Sequence, residues 1–307
     1  MKVPGLRAVH PSKYVFRSSS AKLQSRIRAA FLSPELFDTG VVRAHVFPLR
    51  PRSGRSWNGM LAVSFPVPLG ESFGEDSTRT FGAALLRGSK VVHRFDRKIT
   101  LQPHGPEVTS APTITFLEPV KLDPGSYELR AVMSDPDSDS PHAVKLEVTV
   151  PKVPRKELFL TGPILGKAAG VNVVVTGGET GPDLDRVGGV KSFEPLLVQQ
   201  IDEPVDLVAL TEACVYGGGG GQASVQRSLR RADGTVVGDL PVQGIRPEGS
   251  GRVRCEQLVD RIPARALADG RYEFEAVLRA PDDDTDGDHG SIRFSVGPGL
   301  EETALAE

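Results

Sequence analysis

The sequence KLDPGSYELRAVMSDPD at residues 121–137 has a similar counterpart, ALADGRYEFEAVLRAPD, at residues 266–282. The two align without a gap and place Tyr127 on Tyr272, an offset of 145 positions. In each, a glycine two residues before the tyrosine permits a tight turn. Apolar and polar residues then alternate with the period of a β-strand. The spacing is too long for a solenoid, whose units run about 20–50 residues, and it indicates two duplicated domains.

Each tyrosine opens its predicted strand, and its hydroxyl can bond the backbone across the preceding corner, as in immunoglobulin-like sandwiches. The alternative is that Tyr127 and Tyr272 are half-buried strand aromatics without that role. Other positions keep the same offset: Val91, Val92 and Leu122 correspond to Val236, Val237 and Leu267.

Short runs with strand periodicity fill both halves of the chain from residue 40 onward, and Gly, Pro, Asp and Ser separate them. This spacing is typical of antiparallel sandwiches. We therefore predict a mostly β protein of two tandem immunoglobulin-like or fibronectin-like antiparallel β-sandwiches with one short N-terminal helix. The predicted division is an extended arm and helix at 1–39, a first sandwich at 40–150, a linker at 151–157, a second sandwich at 158–298 and a disordered tail at 299–307.

The helix is predicted within SSSAKLQSRIRAAF, where a serine can serve as the N-cap. Leu23, Ile27, Ala30 and Phe31 form an apolar stripe with helical spacing. Pro34 limits its continuation.

Composition excludes several classes of protein. The 307 residues are 39% hydrophobic and 25% charged, the balance of a globular protein. There is no apolar run long enough for a transmembrane helix, and the N-terminus lacks the apolar segment of a signal peptide. The net charge of −2 argues against a general nucleic-acid binder. Residues 1–60 contain eleven basic residues and only two acidic ones, Glu35 and Asp38. This excess of positive charge indicates either a solvated surface or an arm that binds anionic partners.

Both cysteines, Cys214 and Cys255, lie in the second repeat. They are predicted to form a disulfide between neighbouring strands, which implies an oxidising compartment. The alternative is two separate buried thiols, each acting as a small hydrophobe.

The acidic stretch PDDDTDGDHG at 281–290 is a weak calcium candidate. Asp282, Asp284 and Asp286 match the opening of an EF-hand loop, but the twelfth position is Arg293 rather than Glu. Because strands rather than helices flank it, a solvated hairpin loop is the preferred interpretation.

Motifs of nucleophilic catalysis are missing from the sequence. There is no Gly-x-Ser-x-Gly elbow, and the six histidines lie far apart. We predict a non-catalytic protein without a cofactor. Trp57, set among turn residues, is predicted either to pack over a sandwich edge or to anchor a partner.

The order of several segments resembles the C-terminal half of bacterial von Willebrand factor A-domain-containing proteins of Acidobacteria and related phyla. These segments are GLRAVHPSKY, AAFLSPELF, VVHRFDRKI, EPLLVQQID, LTEACVY and VRCEQLVDRIPA, and the resemblance covers roughly residues 1–297. The Asp-x-Ser-x-Ser metal motif of an A domain is absent, and Asp135-Pro-Asp-Ser-Asp-Ser does not fit it. No metal or ligand site of the family can therefore be carried over.

The resemblance implies an accessory or spacer region of an exported protein, periplasmic or extracellular when joined to its parent. Met1 would then be an internal start or the product of a truncated gene. The expected partner is an unidentified protein, with an A domain of the full-length parent as one candidate. A carbohydrate-binding or calcium-dependent adhesion module is the alternative function, and a cryptic hydrolase is the second alternative.

Overall fold

A computed structural model describes residues 19–52, 54–66, 78–100, 113–134, 141–168, 173–176, 193–217, 223–247, 252–280 and 287–298. This part of the chain is mostly β, with one α-helix, α1 (Ser19–Leu32), at its start. The predicted fold class and the predicted short N-terminal helix are confirmed. The predicted tail at 299–307 lies outside the described residues.

The described residues of the first half form seven strands. They are β1 (Arg43–Pro51), β2 (Trp57–Pro66), β3 (Thr78–Arg87), β4 (Lys90–Thr100), β5 (Thr113–Leu122), β6 (Gly125–Ser134) and β7 (His142–Val150). A single 3₁₀ turn, Pro34–Leu36, follows α1.

The second half supplies ten more strands among its described residues. They are β8 (Leu158–Ala168), β9 (Val173–Thr176), β10 (Phe193–Pro195), β11 (Gln200–Ile201), β12 (Leu207–Tyr216), β13 (Ser224–Arg231), β14 (Val236–Gly244), β15 (Val253–Ile262), β16 (Gly270–Arg279) and β17 (Asp288–Val296). A second 3₁₀ turn, Ala264–Ala266, precedes β16.

The strands form four sheets, which we number I to IV. Sheet I has the order β4-β3-β6-β7, sheet II β1-β2-β5-β9, sheet III β10-β8-β12-β15, and sheet IV β11-β17-β16-β13-β14. Sheets I and II enclose one apolar core, which includes Phe65, Phe81 and Phe116. Sheets III and IV enclose two clusters, one around Phe274 and one around Val225. The described chain therefore contains two stacked β-sandwiches.

The two sandwiches share one strand order. The order β1-β2-β5 in sheet II matches β8-β12-β15 in sheet III, and β4-β3-β6-β7 in sheet I matches β14-β13-β16-β17 in sheet IV. All of these neighbouring pairs are antiparallel. A shared order is what an internal duplication predicts, and the duplication itself remains a prediction.

The tyrosines of the repeat occupy equivalent corners. The Tyr127 hydroxyl donates to the carbonyl oxygen of Asp123 at 2.6 Å, and the Tyr272 hydroxyl donates to that of Ala268 at 2.7 Å. Each hydroxyl also accepts the backbone N–H of the same residue, four positions upstream. Gly125 and Gly270 precede the tyrosines at φ values of 141° and 152°, a region that side chains with a Cβ rarely adopt.

Two predicted boundaries differ from the observed pairing. β9 lies within the range predicted for the second sandwich, 158–298, yet it pairs in parallel with β5 of sheet II. The predicted linker at 151–157 contains Val153, which is buried in the core of the first sandwich. Val153 therefore packs as part of the first sandwich, and β9 extends sheet II of that sandwich.

α1 covers the outer face of sheet I. Ala30 is buried there against Val132 of β6 and Ala143 of β7. The Arg130 guanidinium donates to the carbonyl oxygen of Phe31 at 2.8 Å, near the end of the helix. A cation at this position satisfies a carbonyl group that has no partner within the helix and complements the helix dipole.

Removal of the corner hydroxyls is expected to destabilise the protein. Tyr127→Phe and Tyr272→Phe should each lower the free energy of unfolding by about 1 kcal/mol, because the backbone N–H and C=O of Asp123 or of Ala268 lose their hydrogen bonds with the hydroxyl. Urea unfolding of the purified variants measures this loss. Tyr216→Phe is the matched control, because none of the hydrogen bonds described here involves the Tyr216 hydroxyl. A loss as large in this control would contradict the corner role.

Candidate functional site

Sheets II and III lie back to back, and we call the surface between them the inter-sandwich contact. Its buried side chains come from both sheets: Phe47, Met60, Ala62 and Leu117 from sheet II, and Ile164, Phe193, Val208 and Leu210 from sheet III. The layers therefore follow the order I, II, III, IV.

The sequence builds this contact through strands that are apolar on both faces. In β2, Leu61 and Val63 face the core of the first sandwich, while Met60 and Ala62 face the contact. Nine of the ten residues of β12 are buried. A strand covered on both sides shows a continuous apolar run instead of alternation, which describes GMLAVSF and LVAL.

An ion pair lies at the rim of the inter-sandwich contact. Arg50 of β1 donates to Glu212 Oε2 of β12 from Nε at 3.0 Å and from a terminal guanidinium nitrogen at 2.7 Å. The Gln257 side-chain amide donates to the other carboxylate oxygen of Glu212 at 3.2 Å. Burial raises the pKa of Glu212, and the charge and hydrogen bonds of Arg50 offset only part of that increase.

Other polar links cross between the halves. The Thr161 hydroxyl donates to the carbonyl oxygen of Leu49 at 2.7 Å. The Thr115 hydroxyl of β5 donates to Glu194 Oε1 of β10 at 3.1 Å. Together with the pairing of β9 with β5, these bonds connect the two sandwiches at several separate points.

The apolar packing outweighs the ion pair as a source of affinity between the halves. Full burial of a large apolar side chain is worth roughly 1.5–3 kcal/mol. The Arg50 side chain is 44% exposed, and ion pairs of this kind contribute about 1 kcal/mol or less. The ion pair therefore defines the orientation at the rim, whereas the apolar residues supply most of the stabilisation.

The predicted disulfide is confirmed. Cys214 and Cys255 are bonded to each other and face each other directly in the register of β12 and β15. The alternative of two separate thiols is wrong. Cys214 is two residues from Glu212, so both lie on the same face of sheet III. The disulfide packs against Phe159 and the ring of Tyr216, beside the rim of the contact.

The remaining candidates of the sequence fall into two groups. Asp282, Asp284 and Asp286 lie outside the described residues. Among the residues described, no three or more His, Cys, Asp or Glu side chains are grouped so that they could hold a metal ion. Trp57 is buried in the first core, and its indole N–H donates to the carbonyl oxygen of Pro151 at 2.8 Å. The alternative of an exposed tryptophan anchor is therefore wrong.

A buried polar layer inside the second sandwich was not predicted from the sequence. Arg227 lies on β13 between Val225 and Leu229, and Asp260 lies on β15 between Leu258 and Ile262, so each separates the two apolar clusters. Their side chains are 3.3 Å apart. Burial raises the pKa of Asp260, and the Arg227 charge offsets part of that increase. The only signal in the sequence was a charged residue at an inward position of each strand.

Comparisons with known proteins do not extend the identification beyond this class of fold. No protein-family model and no curated protein matches the chain. A Bacteroides uniformis beta-glucuronidase structure covers 78% of this chain with 26% of its own, at 13% identity and a TM-score of 0.28. A putative beta-galactosidase from Bacteroides fragilis covers 82% with 35% of its own length, at 11% identity and a TM-score of 0.25.

A mutant Salmonella alpha-2-macroglobulin covers 85% of this chain with 16% of its own, at 11% identity and a TM-score of 0.24. This chain thus spans about a quarter of the glucuronidase. TM-scores at this level carry no argument about function. Within the described residues, no helix has both the length and the apolar character needed to span a membrane.

Loss of the disulfide is expected to destabilise the second sandwich. The sequence separation is 41 residues, and a loop of that length is worth about 4 kcal/mol in the chain-entropy model. The variant Cys214→Ala/Cys255→Ala should lose stability of that order in guanidinium unfolding. A reductant should lower the unfolding free energy of the wild type to that of the double variant and should leave the unfolding free energy of the double variant unchanged. Equal stability of wild type and variant would refute a stabilising role.

The raised pKa of Glu212 predicts a specific dependence of stability on pH. A carboxyl with a raised folded-state pKa contributes stability that is fully present below its unfolded pKa, about 4.3, and is lost as pH rises through the folded value. The difference in unfolding free energy between wild type and Glu212→Gln should therefore fall as pH rises from about 4 to 7.

Glu128→Gln is the matched control for this measurement. Burial raises the pKa of Glu128, but the hydrogen bonds and charges of Arg130 and Lys145 outweigh it and lower the pKa overall. The difference between wild type and Glu128→Gln should rise as pH increases to just above the unfolded value of about 4.3 and should then stay level up to pH 7. If both variants follow the same trend, the assignment for Glu212 fails.

Proposed function

We propose that this chain is a non-catalytic spacer and protein-interaction region that holds two β-sandwiches in one fixed arrangement. The observation that carries the proposal is the inter-sandwich contact, in which Met60 of sheet II and Leu210 of sheet III are buried together. The proposed role of the chain is mechanical. It would set the distance and the orientation between the partners bound to the first and to the second sandwich.

The character of the contact supports a rigid body. Domains within one chain move relative to each other by default, unless their interface is large and apolar. Here the interface is apolar, the Arg50–Glu212 pair borders it, and β9 of the second half extends sheet II of the first. Rotation about residues 151–157 would break strand pairing as well as side-chain packing.

The compartment belongs to the same proposal. A disulfide between Cys214 and Cys255 is the bond expected of a protein that folds under oxidising conditions. It agrees with the expectation, drawn from the resemblance to von Willebrand factor A-domain-containing proteins, of an exported parent. In that setting an A domain of the parent is a candidate partner for one end of the spacer.

Two other functions rank below this one. A calcium-dependent adhesion module would require Asp282, Asp284 and Asp286, which the described residues do not include. A cryptic hydrolase would require a histidine, a carboxylate and a serine joined by hydrogen bonds. Ser228, Glu275 and His289 line one groove, but Ser228 and Glu275 both pair with Arg230, and none of the hydrogen bonds described joins His289 to either of them. We therefore rest the proposal on the inter-sandwich contact.

Residual dipolar couplings measured by NMR test the rigid arrangement. Couplings from β3 and β6 of the first sandwich and from β13 and β16 of the second should fit a single alignment tensor. Two independent tensors for the wild type would refute the spacer proposal.

A variant at the contact makes the same test sharper. Phe47→Ser removes a buried side chain from the inter-sandwich contact and is expected to separate the two tensors while each sandwich stays folded. Val91→Ser, which changes an exposed valine of the same sandwich, is the matched control and should keep one tensor. A single unchanged tensor in Phe47→Ser would show that the contact does not hold the arrangement.

A further inference from the structure

The outer face of sheet IV carries a groove with about 490 Å³ of open space. Strands β13, β16 and β17 form its floor and sides. The polar side chains that line it are Gln226, Ser228, Arg230, Glu275, Arg279 and His289. This face points away from the core of the second sandwich and from the inter-sandwich contact.

The strand register explains the concave shape. Ser228 lies opposite Glu275, and Val277 lies opposite both Gln226 and His289. The short side chains of Ser228 and Val277 occupy the middle. Arg230 and Arg279 lie at opposite ends, six residues apart in register and therefore about 20 Å along the strands. The result is an elongated groove with a guanidinium at each end.

The charge of the groove is opposite to that of the whole chain. Its described lining carries the two guanidinium groups of Arg230 and Arg279 against the single carboxylate of Glu275, whereas the chain has a net charge of −2. The Arg230 Nε is 3.7 Å from Glu275 Oε2 and 3.3 Å from the Ser228 hydroxyl. Glu275 thus balances Arg230, and among the described lining residues Arg279 at the far end has no carboxylate beside it.

We propose that this groove binds an acidic oligosaccharide, a chain of uronate-type sugars that lies along β13 and β16. The carboxylates of the ligand pair with Arg230 and Arg279, because guanidinium groups bind carboxylates through two parallel hydrogen bonds. The hydroxyl groups of the sugar rings bond to Gln226, Ser228 and Glu275. His289 adds a further donor beside the Arg279 end.

Two features favour a saccharide over a peptide strand. The groove lies on a sheet face, where the backbone of β13 and β16 is already paired with neighbouring strands. An extended peptide therefore cannot add as a further strand at this place. Secondly, hydroxyl, amide and carboxylate side chains together offer the mixed donors and acceptors that sugar hydroxyls need.

The absence of Phe, Tyr and Trp from the described lining favours a charged sugar over a neutral one. Neutral sugars are commonly held by stacking on aromatic rings, and the lining described here offers only Val277 as an apolar surface. Charge–charge attraction must therefore supply the affinity that stacking on aromatic rings supplies for neutral sugars. The proposal goes beyond the spacer function and is independent of it, because it concerns sheet IV alone.

Titration of the full chain with oligogalacturonate, followed by calorimetry and NMR, tests the proposal. Shift changes should be confined to β13, β16 and β17. The fully methyl-esterified oligomer, which has the same sugar chain without the charges, should bind at least tenfold more weakly. Equal binding of both probes, or shift changes elsewhere on the protein, would overturn it.

Three substitutions identify the residues that bind. Arg279→Gln and Arg230→Gln should each weaken binding roughly tenfold or more, the loss expected for a charged hydrogen bond. Arg293→Gln is the matched control, since Arg293 lies on the same face, pairs with Glu273 at 3.3 Å and does not line the groove. Equal weakening by Arg293→Gln would show attraction to the surface at large and overturn the assignment.

Poly-glutamate serves as a final comparison. It carries the carboxylates on a peptide, so equal affinity for it would mean a general anion surface and would refute the saccharide assignment. The outcome does not depend on the dipolar couplings. If the protein shows a single alignment tensor and binds no saccharide, the spacer proposal stands and the saccharide proposal is refuted.

Discussion

Sheets II and III are buried on both faces, and this double burial brings the two halves of the chain together. In a free sandwich each sheet is apolar towards the core and polar towards solvent. β2 and β12 do not follow that rule, because neighbouring residues such as Met60 and Leu61, or Val208 and Ala209, are all buried. If the two halves were apart, each would expose a contiguous apolar surface of the kind that marks an interaction site. The two halves are therefore better described as one folded body with four sheet layers than as two independent domains joined by a linker.

Buried polar groups then specify how the layers align. Burial of an ion pair costs desolvation, and loss of one partner costs about 3–5 kcal/mol because the other charge remains buried. Within the second sandwich, a slip of sheet IV over sheet III would separate Arg227 from Asp260 and would also bring apolar residues against charges. Arg227 holds two further acceptors, Gln243 and the carbonyl oxygen of Pro241. At the rim, Glu212 plays the comparable part between the sandwiches, with Arg50 and Gln257 as its partners.

The sequence predicted local features well and long-range contacts poorly, for a physical reason. A tyrosine corner is a local motif of a few residues, Gly125 to Tyr127 or Gly270 to Tyr272. The internal repeat therefore predicted both corners. A disulfide requires two cysteines at compatible places, and with only Cys214 and Cys255 in the chain its pairing was one of two open alternatives. The inter-sandwich contact depends instead on which faces of distant strands meet. The continuous apolar run of β12 indicated this contact, because a strand with one solvent-exposed face should alternate apolar and polar residues. The pairing of β9 with β5 left no comparable mark.

The layer order also determines which surfaces remain for other partners. Sheets II and III cover each other, and α1 covers part of sheet I through Ala30 and Phe31. The outer face of sheet IV has no such cover among the described residues, and its side chains are polar and charged as a solvated face requires. A chain that works as a spacer needs its central layers for rigidity and can bind only with its outermost ones. The groove between Arg230 and Arg279 lies on such an outer layer, so ligand binding there would leave the fixed arrangement of the two sandwiches undisturbed.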